Sequence, residues 1–204
     1  MFTGIIEAMG KVVAVDHDRT NINFTIESDL TQELKVDQSM AHDGVCLTVV
    51  KIDKTKNQYV VTAIQETLDK TCLSEWRPNY EVNLERSMSM ENRFDGHIVQ
   101  GHVDQTAVCE NITEENGSWR YYFSYDKSKN NITVEKGSIS VNGVSLTVVD
   151  SEEGMFSVAI IPFTFEHTNF HNIRKGSLIN IEFDVFGKYV SRLMEQYFKQ
   201  KKQD

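Results

Sequence analysis

Short runs in which every second position is apolar dominate the chain. Ile22, Phe24 and Ile26 alternate with polar neighbours, the period of a strand with one buried face. Tyr59-Val60-Val61, Trp119 to Tyr125 and Phe156 to Ile161 are rich in β-branched and aromatic residues, which predicts further strands. Asp43-Gly44, Asn116-Gly117, Asn142-Gly143 and Glu153-Gly154 separate the runs as turns. Two of them stand just before a Leu-Thr-Val-Val strand, as a tight hairpin needing positive φ requires. Helical spacing is rarer and predicts short pieces at Asp29 to Leu34, Glu66 to Leu73 and Phe163 to Phe170. Many short strands with regular turns imply an all-β chain of small antiparallel barrels or sandwiches.

The pattern occurs twice. Asp43-Gly44-Val45-Cys46-Leu47-Thr48-Val49-Val50 returns as Asn142-Gly143-Val144-Ser145-Leu146-Thr147-Val148-Val149, and Val82-Asn83-Leu84-Glu85 returns as Ile179-Asn180-Ile181-Glu182. Thr3-Gly4-Ile5-Ile6 returns more loosely as Gln100-Gly101-His102-Val103. The spacing between copies is nearly constant and far exceeds the roughly 20 to 50 residues of a solenoid unit. Two tandem copies of one domain follow, over 1–96 and 97–186, each long enough to bury its own core. Two like domains facing each other across a pseudo-two-fold axis can present two like pockets, which suits a reaction joining two copies of one molecule.

The tail, 187–204, breaks the pattern. Phe186, Tyr189, Val190, Leu193, Met194, Tyr197 and Phe198 fall at helical spacing, and Lys199 to Lys202 give a basic end that suits the helix dipole. Two readings compete: the stripe packs on the chain's own barrel, or it meets a partner helix in an oligomer seam. The second is favoured because the first copy has no counterpart.

Composition narrows the partners. The 204 residues carry a formal charge of −9, whereas nucleic-acid affinity comes from clustered Lys and Arg, so no nucleic acid is expected. Met1 to Glu7 lacks a basic start and a long apolar stretch, so no signal peptide is expected. Runs such as Val158 to Ile161 are far too short to span a membrane. Cys46, Cys72 and Cys109 are three and widely spaced, which fits reduced thiols in a cytoplasm.

The candidate chemistry sits on positions matched between the copies. Cys46 corresponds to Ser145, Thr48 to Thr147, and Thr67 to Thr164. Small hydroxyls and a thiol at equivalent places suit hydrogen bonding to a polyhydroxylated or heteroaromatic ligand; equally, Thr in a strand can simply pack. Gly96-His97-Ile98-Val99-Gln100-Gly101-His102 places two imidazoles five apart, each beside a glycine where backbone can approach a ligand closely. Proton transfer near neutral pH suits them. Odd spacing on a strand puts them on opposite faces, which argues against a shared metal; ordinary structural roles are the competing reading. His17, His42, His167 and His171 read as surface or packing residues. Cys46 as a nucleophile would need a base brought by folding; since its counterpart is Ser145, a polar pocket wall is the favoured reading.

Taken together, Met1-Phe2-Thr3-Gly4-Ile5-Ile6-Glu7, Gly44 to Val49, Glu66-Thr67-Leu68, Val82 to Arg86, Gly96 to Asp104 and Gly143 to Val148 resemble riboflavin synthase of the alpha-subunit type over essentially the whole chain. The resemblance implies two tandem six-stranded antiparallel Greek-key barrels with a C-terminal α-helix, assembled as a homotrimer. It implies dismutation of two 6,7-dimethyl-8-ribityllumazine molecules with transfer of a four-carbon unit, without added cofactor or metal. The products would be riboflavin and 5-amino-6-(D-ribitylamino)uracil, in the last step of riboflavin biosynthesis. Lumazine synthase is a further partner that the resemblance raises. By the family's pattern the first barrel's pocket takes Gly4, Ile5, Ile6, Cys46, Leu47, Thr48, Thr62, Ala63, Ile64, Gln65, Glu66 and Thr67. The second takes Gly101, His102, Val103, Ser145, Leu146, Thr147, Ala159, Ile160, Ile161, Pro162, Phe163 and Thr164. Lys136 matches a position that reaches a neighbouring chain's ligand, and the active site would lie between unlike barrels of adjacent subunits. His102 is expected to move the proton with help from His97, while Ser39, Cys46 and Thr48 activate or supply the adding nucleophile. Two departures stand out: Glu66 corresponds to Phe163, so one pocket alone offers a carboxylate there, and Gln65 stands where some members carry Lys. A non-catalytic lumazine or flavin carrier is the alternative, disfavoured because His97, His102 and Ser145-Leu146-Thr147 are intact. A flavin-dependent reductase has no Gly-x-Gly-x-x-Gly to support it.

Overall fold

The structure, a computed structural model, describes residues 1–89 and 93–201; Lys202 of the basic end lies outside them. Twelve strands form two closed barrels among these residues. The first comprises β1 (Ala8–Asp18), β2 (Asn21–Glu27), β3 (Ser39–His42), β4 (Val45–Asp53), β5 (Gln58–Ala63) and β6 (Glu81–Arg86). The second comprises β7 (Gln105–Glu114), β8 (Trp119–Tyr125), β9 (Ser138–Val141), β10 (Val144–Glu152), β11 (Met155–Ile160) and β12 (Leu178–Phe183). Around the first barrel the order is β1-β2-β5-β4-β3-β6, and the second repeats it strand for strand. β3, β4 and β5 are consecutive neighbours and β2 returns beside β5, a Greek key. All pairings are antiparallel, as the repeat and the resemblance imply.

Alternation explains the cores. Ile22, Phe24 and Ile26 are buried with Tyr59, Val61 and Leu84 in the first barrel, and Tyr121, Phe123, Val158 and Ile181 fill the second. The predicted hairpins form: Asp43 and Gly44 have φ 46° and 78°, and Asn142 and Gly143 have φ 45° and 82°. Both central residues are left-handed, so the connection matches the twist of its strands. Register shifts at Val12/Ala14 and Val49/Lys51 recur at Cys109/Asn111 and between Val148 and Ser151, where bulges let strands bend around a closed barrel. The helical pieces are short. Asp29–Glu33 is a 3-10 turn, while α1 (Gln65–Lys70) and α2 (Pro162–His167) each run into a 3-10 turn capped by Thr71 or Thr168.

The copies meet about a pseudo-two-fold axis. Phe2 bridges Val99, its own counterpart, in antiparallel fashion. At a second point on the axis the two hairpins touch, and a Cβ on Gly44 would lie 2.8 Å from the Gly143 nitrogen. Around them is a reciprocal buried network. The Asn83 and Asn180 amides donate to the carbonyls of Asn142 and Asp43 at 2.9 and 3.0 Å, and their backbone N–H groups donate to Asp43 Oδ1 and Asn142 Oδ1 at 2.8 Å. The symmetry breaks at Asp43 against Asn142, and at Cys72 against Asn169, whose amide reaches Asp43 at 2.9 Å.

The tail is α3 (Val185–Gln200), capped by Asp184, whose carboxylate accepts the Phe186 N–H. No residue of α3 is buried. Phe186, Tyr189, Val190, Leu193, Met194, Tyr197 and Phe198 are all exposed, so the reading in which this stripe packs on its own barrel is overturned. One tie to the barrels is the ion pair of Lys188 with Asp104 at 2.7 Å. No helix is long and apolar enough among the described residues to cross a membrane.

Candidate functional site

Each barrel turns alternate residues of its fourth and fifth strands outward. Along β4, Val45, Leu47 and Val49 are buried, Cys46 is half-buried, and Thr48 and Val50 are exposed. β10 repeats this with Ser145 half-buried and Thr147 exposed. Beyond the next strands the chain climbs into α1 and α2, which leaves Ile64, Gln65 and Glu66 exposed over one face, and Ile161, Pro162 and Phe163 over the other. Ser39 lies opposite Thr48 across the β3–β4 ladder, joining the first face. Thr62 is half-buried and donates to Asn23 Oδ1 at 2.6 Å; Thr67 and Thr164 are half-buried, and Ala159 is exposed. Leu47, Ala63 and Ile160 turn inward into the cores, and Leu146 packs against the second core. The strand period leaves only their backbone to the outer face.

The segments preceding the barrels are exchanged, which the sequence does not reveal. Gly4 accepts the Ser145 N–H at 2.8 Å through its carbonyl, and Gly101 accepts the Cys46 N–H at 2.8 Å. Ile6 packs against the second core and Val103 is buried in the first. The expected grouping is therefore corrected: Gly4, Ile5 and Ile6 complete the face of the second barrel, and Gly101, His102 and Val103 complete that of the first. The cause is the axial bridge of Phe2 with Val99, which sends each segment onward across the other barrel. Glycine is required at both crossings. A Cβ on Gly4 would lie 2.6 Å from Ser145 Cβ, and one on Gly101 would lie 2.6 Å from Cys46 Cβ, with φ 77° and 80°.

The exchange also separates the two histidines. His102 is exposed at the face carrying Cys46, Thr48 and Ser39, where the second face has the exposed Ile5. His97 instead lies buried against the second face, its Nδ1 2.7 Å from Ser145 Oγ and its backbone N–H donating to the Thr3 carbonyl. Burial lowers the His97 pKa, partly countered by the Asp184 carboxylate nearby, so a neutral imidazole faces the serine hydroxyl. A neutral imidazole can accept the proton of a hydroxyl it touches. Within one chain the two histidines therefore stand at different faces.

The faces differ again at α1 and α2. Glu66 pairs with Lys70 at 2.9 Å, whereas their counterparts Phe163 and His167 stack with centroids 4.1 Å apart. Lys136 is exposed, with φ 64°, at the turn leading into β9, and its backbone N–H donates to Val148. His42 is a satisfied core residue bonded to Tyr59 Oη at 3.0 Å, its pKa lowered to about 4 by burial. Among the described residues no group of three or more His, Cys, Asp or Glu side chains is placed to hold a metal ion.

Two carboxylates escaped the sequence reading of the site although their strings were repeated. Glu85 Oε1 accepts the Thr3 N–H at 2.7 Å and hydroxyl at 2.9 Å, and its Oε2 accepts the Gly4 N–H at 3.0 Å. Glu182 Oε1 accepts the Gln100 N–H at 2.7 Å, and its Oε2 accepts those of Gly101 and His102 at 2.9 and 2.8 Å. Both are almost fully buried, and burial raises both carboxyl pKa values despite the N–H donors.

Cavities of about 420 and 760 Å³ lie elsewhere, at the seam between barrels and beneath α3. Both faces carry exposed residues in a single chain, Thr48 and Ile64 to Glu66 on one and Thr147 and Ile161 to Phe163 on the other. The lumazine binding domain model matches residues 3–87 and 100–184, once per barrel. Riboflavin synthase of Bacillus subtilis (strain 168) is 39% identical over 204 residues, covering 100% of this chain and 94% of the relative. That of Actinobacillus pleuropneumoniae is 39% identical over 195 residues, covering 95% and 90%. Among solved structures, LumP complexed with 6,7-dimethyl-8-(1'-D-ribityl) lumazine superposes with a TM-score of 0.80 at 23% identity, covering 89% of this chain and 98% of that one; this speaks for the fold alone. A duplicated lumazine-binding barrel that aligns with these synthases nearly end to end places the chain in the riboflavin synthase family.

Proposed function

We infer that the chain converts two 6,7-dimethyl-8-ribityllumazine molecules into riboflavin and 5-amino-6-(D-ribitylamino)uracil. Four carbons leave one molecule and become part of the new ring of the other, so no external oxidant or carbon donor is required. The observation that carries this reading is the pair of like but unequal faces, each combining a β-strand Thr, a thiol or hydroxyl, and a glycine arm from the other repeat.

On this reading the first face holds one lumazine through Ser39, Cys46, Thr48, Thr62 to Thr67, and the arm Gly101-His102-Val103. The second holds its mate through Ser145, Thr147, Ala159 to Thr164, the arm Gly4-Ile5-Ile6, and His97. A ring methyl conjugated with the electron-poor heterocycle loses a proton, and the carbanion is delocalised into the ring. His102, exposed at the first face, takes that proton. The His97–Ser145 pair stands ready at the second face to deliver or activate an oxygen nucleophile. Holding both rings face to face supplies much of the acceleration, since enforced proximity is worth roughly 7–11 kcal/mol.

A face open to water on one side needs a second wall. The apolar stripe of α3, together with Ile64, Ile161 and Phe163, all exposed, supports assembly as a homotrimer in which the first barrel of one subunit meets the second barrel of the next. Lys136 then approaches the neighbouring ligand. A soluble cytoplasmic enzyme, with lumazine synthase as an occasional associate, completes the proposal.

The test is to incubate the purified protein with the lumazine alone. Growth of riboflavin absorbance at half the molar amount of lumazine consumed supports the reading; a stable complex without turnover sinks it in favour of a carrier.

A further inference from the structure

Glu85 and Glu182 belong to one barrel each, yet the arm each of them grips ends on the other barrel. Glu182 sits on β12 and gathers three consecutive N–H groups, of Gln100, Gly101 and His102. The carbonyl at the tip of that arm, Gly101, receives the Cys46 N–H of the first barrel. Glu85, on β6, grips Thr3 and Gly4 in the same way, and the Gly4 carbonyl receives the Ser145 N–H of the second barrel. Buried carboxylates cost free energy unless their lone pairs are filled, and backbone N–H donors fill them here with charge-assisted bonds. The arms join the ladders of their own barrels only at their far ends, where the Glu7 N–H donates to the Leu84 carbonyl and the Asp104 N–H to the Ile181 carbonyl; along Thr3-Gly4 and Gln100 to His102 the carboxylate receives the N–H groups.

We propose that Glu182 and Glu85 are positioning residues acting in crossed fashion: Glu182 sets the arm that shapes the ligand face of the first barrel, and Glu85 sets the arm that shapes the face of the second. Glu182 thereby fixes the backbone from which His102 projects, while Glu85 fixes the one from which Ile5 projects. Each barrel's face is tuned from the strand of its neighbour. The consequence for catalysis rests on the proposed function, but the crossing itself does not.

The experiment reads the crossing without substrate. Cys46 is half-buried beside Gly101, while Cys72 and Cys109 are buried, so iodoacetamide modifies Cys46 first, and peptide mass spectrometry resolves the three thiols. In Glu182→Gln an amide NH2 group replaces one acceptor oxygen, and its hydrogens meet backbone N–H donors, freeing the arm. Cys46 modification should then rise by about tenfold, the equivalent of losing one hydrogen bond to a charged group. Glu85→Gln should leave the Cys46 rate within about twofold, since the bond it disturbs serves Ser145. The dependence should exchange in a Cys46→Ser, Ser145→Cys background, where Glu85→Gln accelerates modification at 145 and Glu182→Gln does not. Equal acceleration by both variants, or acceleration by neither, overturns the proposal. Exposure of Cys72 and Cys109 would mark unfolding; in that case the wild-type amides decide. Protection of Gly101 and His102 N–H against hydrogen exchange supports the clamp, and exchange at free-chain rates overturns it. A protein that passes this test yet makes no riboflavin would refute the proposed function and leave the crossed clamp standing.

Discussion

Asp43→Asn should flatten the dependence of stability on pH. Asp43 is fully buried at the meeting of the two barrels, with Oδ1 accepting from the Asn83 N–H and the Asn169 amide, while Oδ2 makes no hydrogen bond of ordinary geometry among the described residues and has the Tyr80 hydroxyl in its neighbourhood. Burial dominates and pushes its pKa up from 3.8 to about 8, against the pull of the Asn83 N–H. The folded state therefore holds a proton that the unfolded chain releases. Stability is fully present below the unfolded value and is lost as pH rises towards the folded one. Each pH unit in that window is worth about 1.4 kcal/mol, so between pH 5 and pH 7 this one carboxyl removes about 3 kcal/mol. Asn142 performs the same backbone duty in the second copy, accepting the Asn180 N–H at 2.8 Å, so asparagine fits the geometry. Urea unfolding of both proteins at several pH values and one protein concentration measures the difference. The wild type should lose stability relative to the variant by about that amount between pH 5 and pH 7. Parallel curves would refute the reasoning, because Glu85 and Glu182, also raised, are common to both.

Three further outcomes are expected. His102→Ala should lower kcat by about a hundredfold or more, the worth of a general base, with little change in lumazine affinity by fluorescence titration; equal rates would remove His102 from the reaction. His97→Ala and Ser145→Ala should each lower turnover, and the double variant should cost little more than either alone, because the 2.7 Å pair acts as a unit; additive losses in a kinetic cycle would separate their roles. Removing α3 from Val185 onward should leave two folded barrels by circular dichroism but abolish assembly and most turnover, and an intact trimer by sedimentation would overturn the role given to the helix.

Much of the fold is legible because it rests on local rules repeated twice. Period-two apolar runs mark the strands, and Asp43-Gly44 and Asn142-Gly143 announce hairpins that only left-handed turns can make. The repeated strings imply two like barrels before any strand order is known. The exchanged arms are not legible. Gly4 and Gly101 show that something comes close, but not which barrel; that is decided by the axial bridge of Phe2 with Val99, a contact between segments nearly half the chain apart. For the same reason His97 and His102 look like one site in sequence and stand at two in space. Ser145 as the neighbour of His97 follows from no local pattern, since 48 positions separate them. Glu85 and Glu182 were visible as repetition, yet a buried carboxylate gripping a loop has the same sequence signature as an exposed strand end.

Chemistry between two identical molecules, one giving carbons and the other receiving them, requires two sites that are alike in shape and unlike in function. Duplication supplies the likeness, and the positions where the copies disagree locate the difference. Several core residues keep their character across the axis: Val49 answers Val148, and Leu84 answers Ile181, all buried. Besides the buried seam pairs Asp43/Asn142 and Cys72/Asn169, disagreements stand on the outward faces and the arms, where Cys46 answers Ser145, Glu66 answers Phe163 and Ile5 answers His102. The outward substitutions disturb packing least, because their side chains are half-buried or exposed. Exchange of the arms adds a constraint of its own. Because each face borrows its arm from the opposite repeat, one repeat contributes to both faces, to one through its strands and to the other through its arm. Placing His102 on the arm of the second repeat put an imidazole beside the thiol of the first, while His97, a few residues earlier on the same segment, stayed with the serine of the second. One stretch of seven residues from Gly96 to His102 thus equips both faces differently, and that economy is available only to a duplicated fold whose entry segments cross.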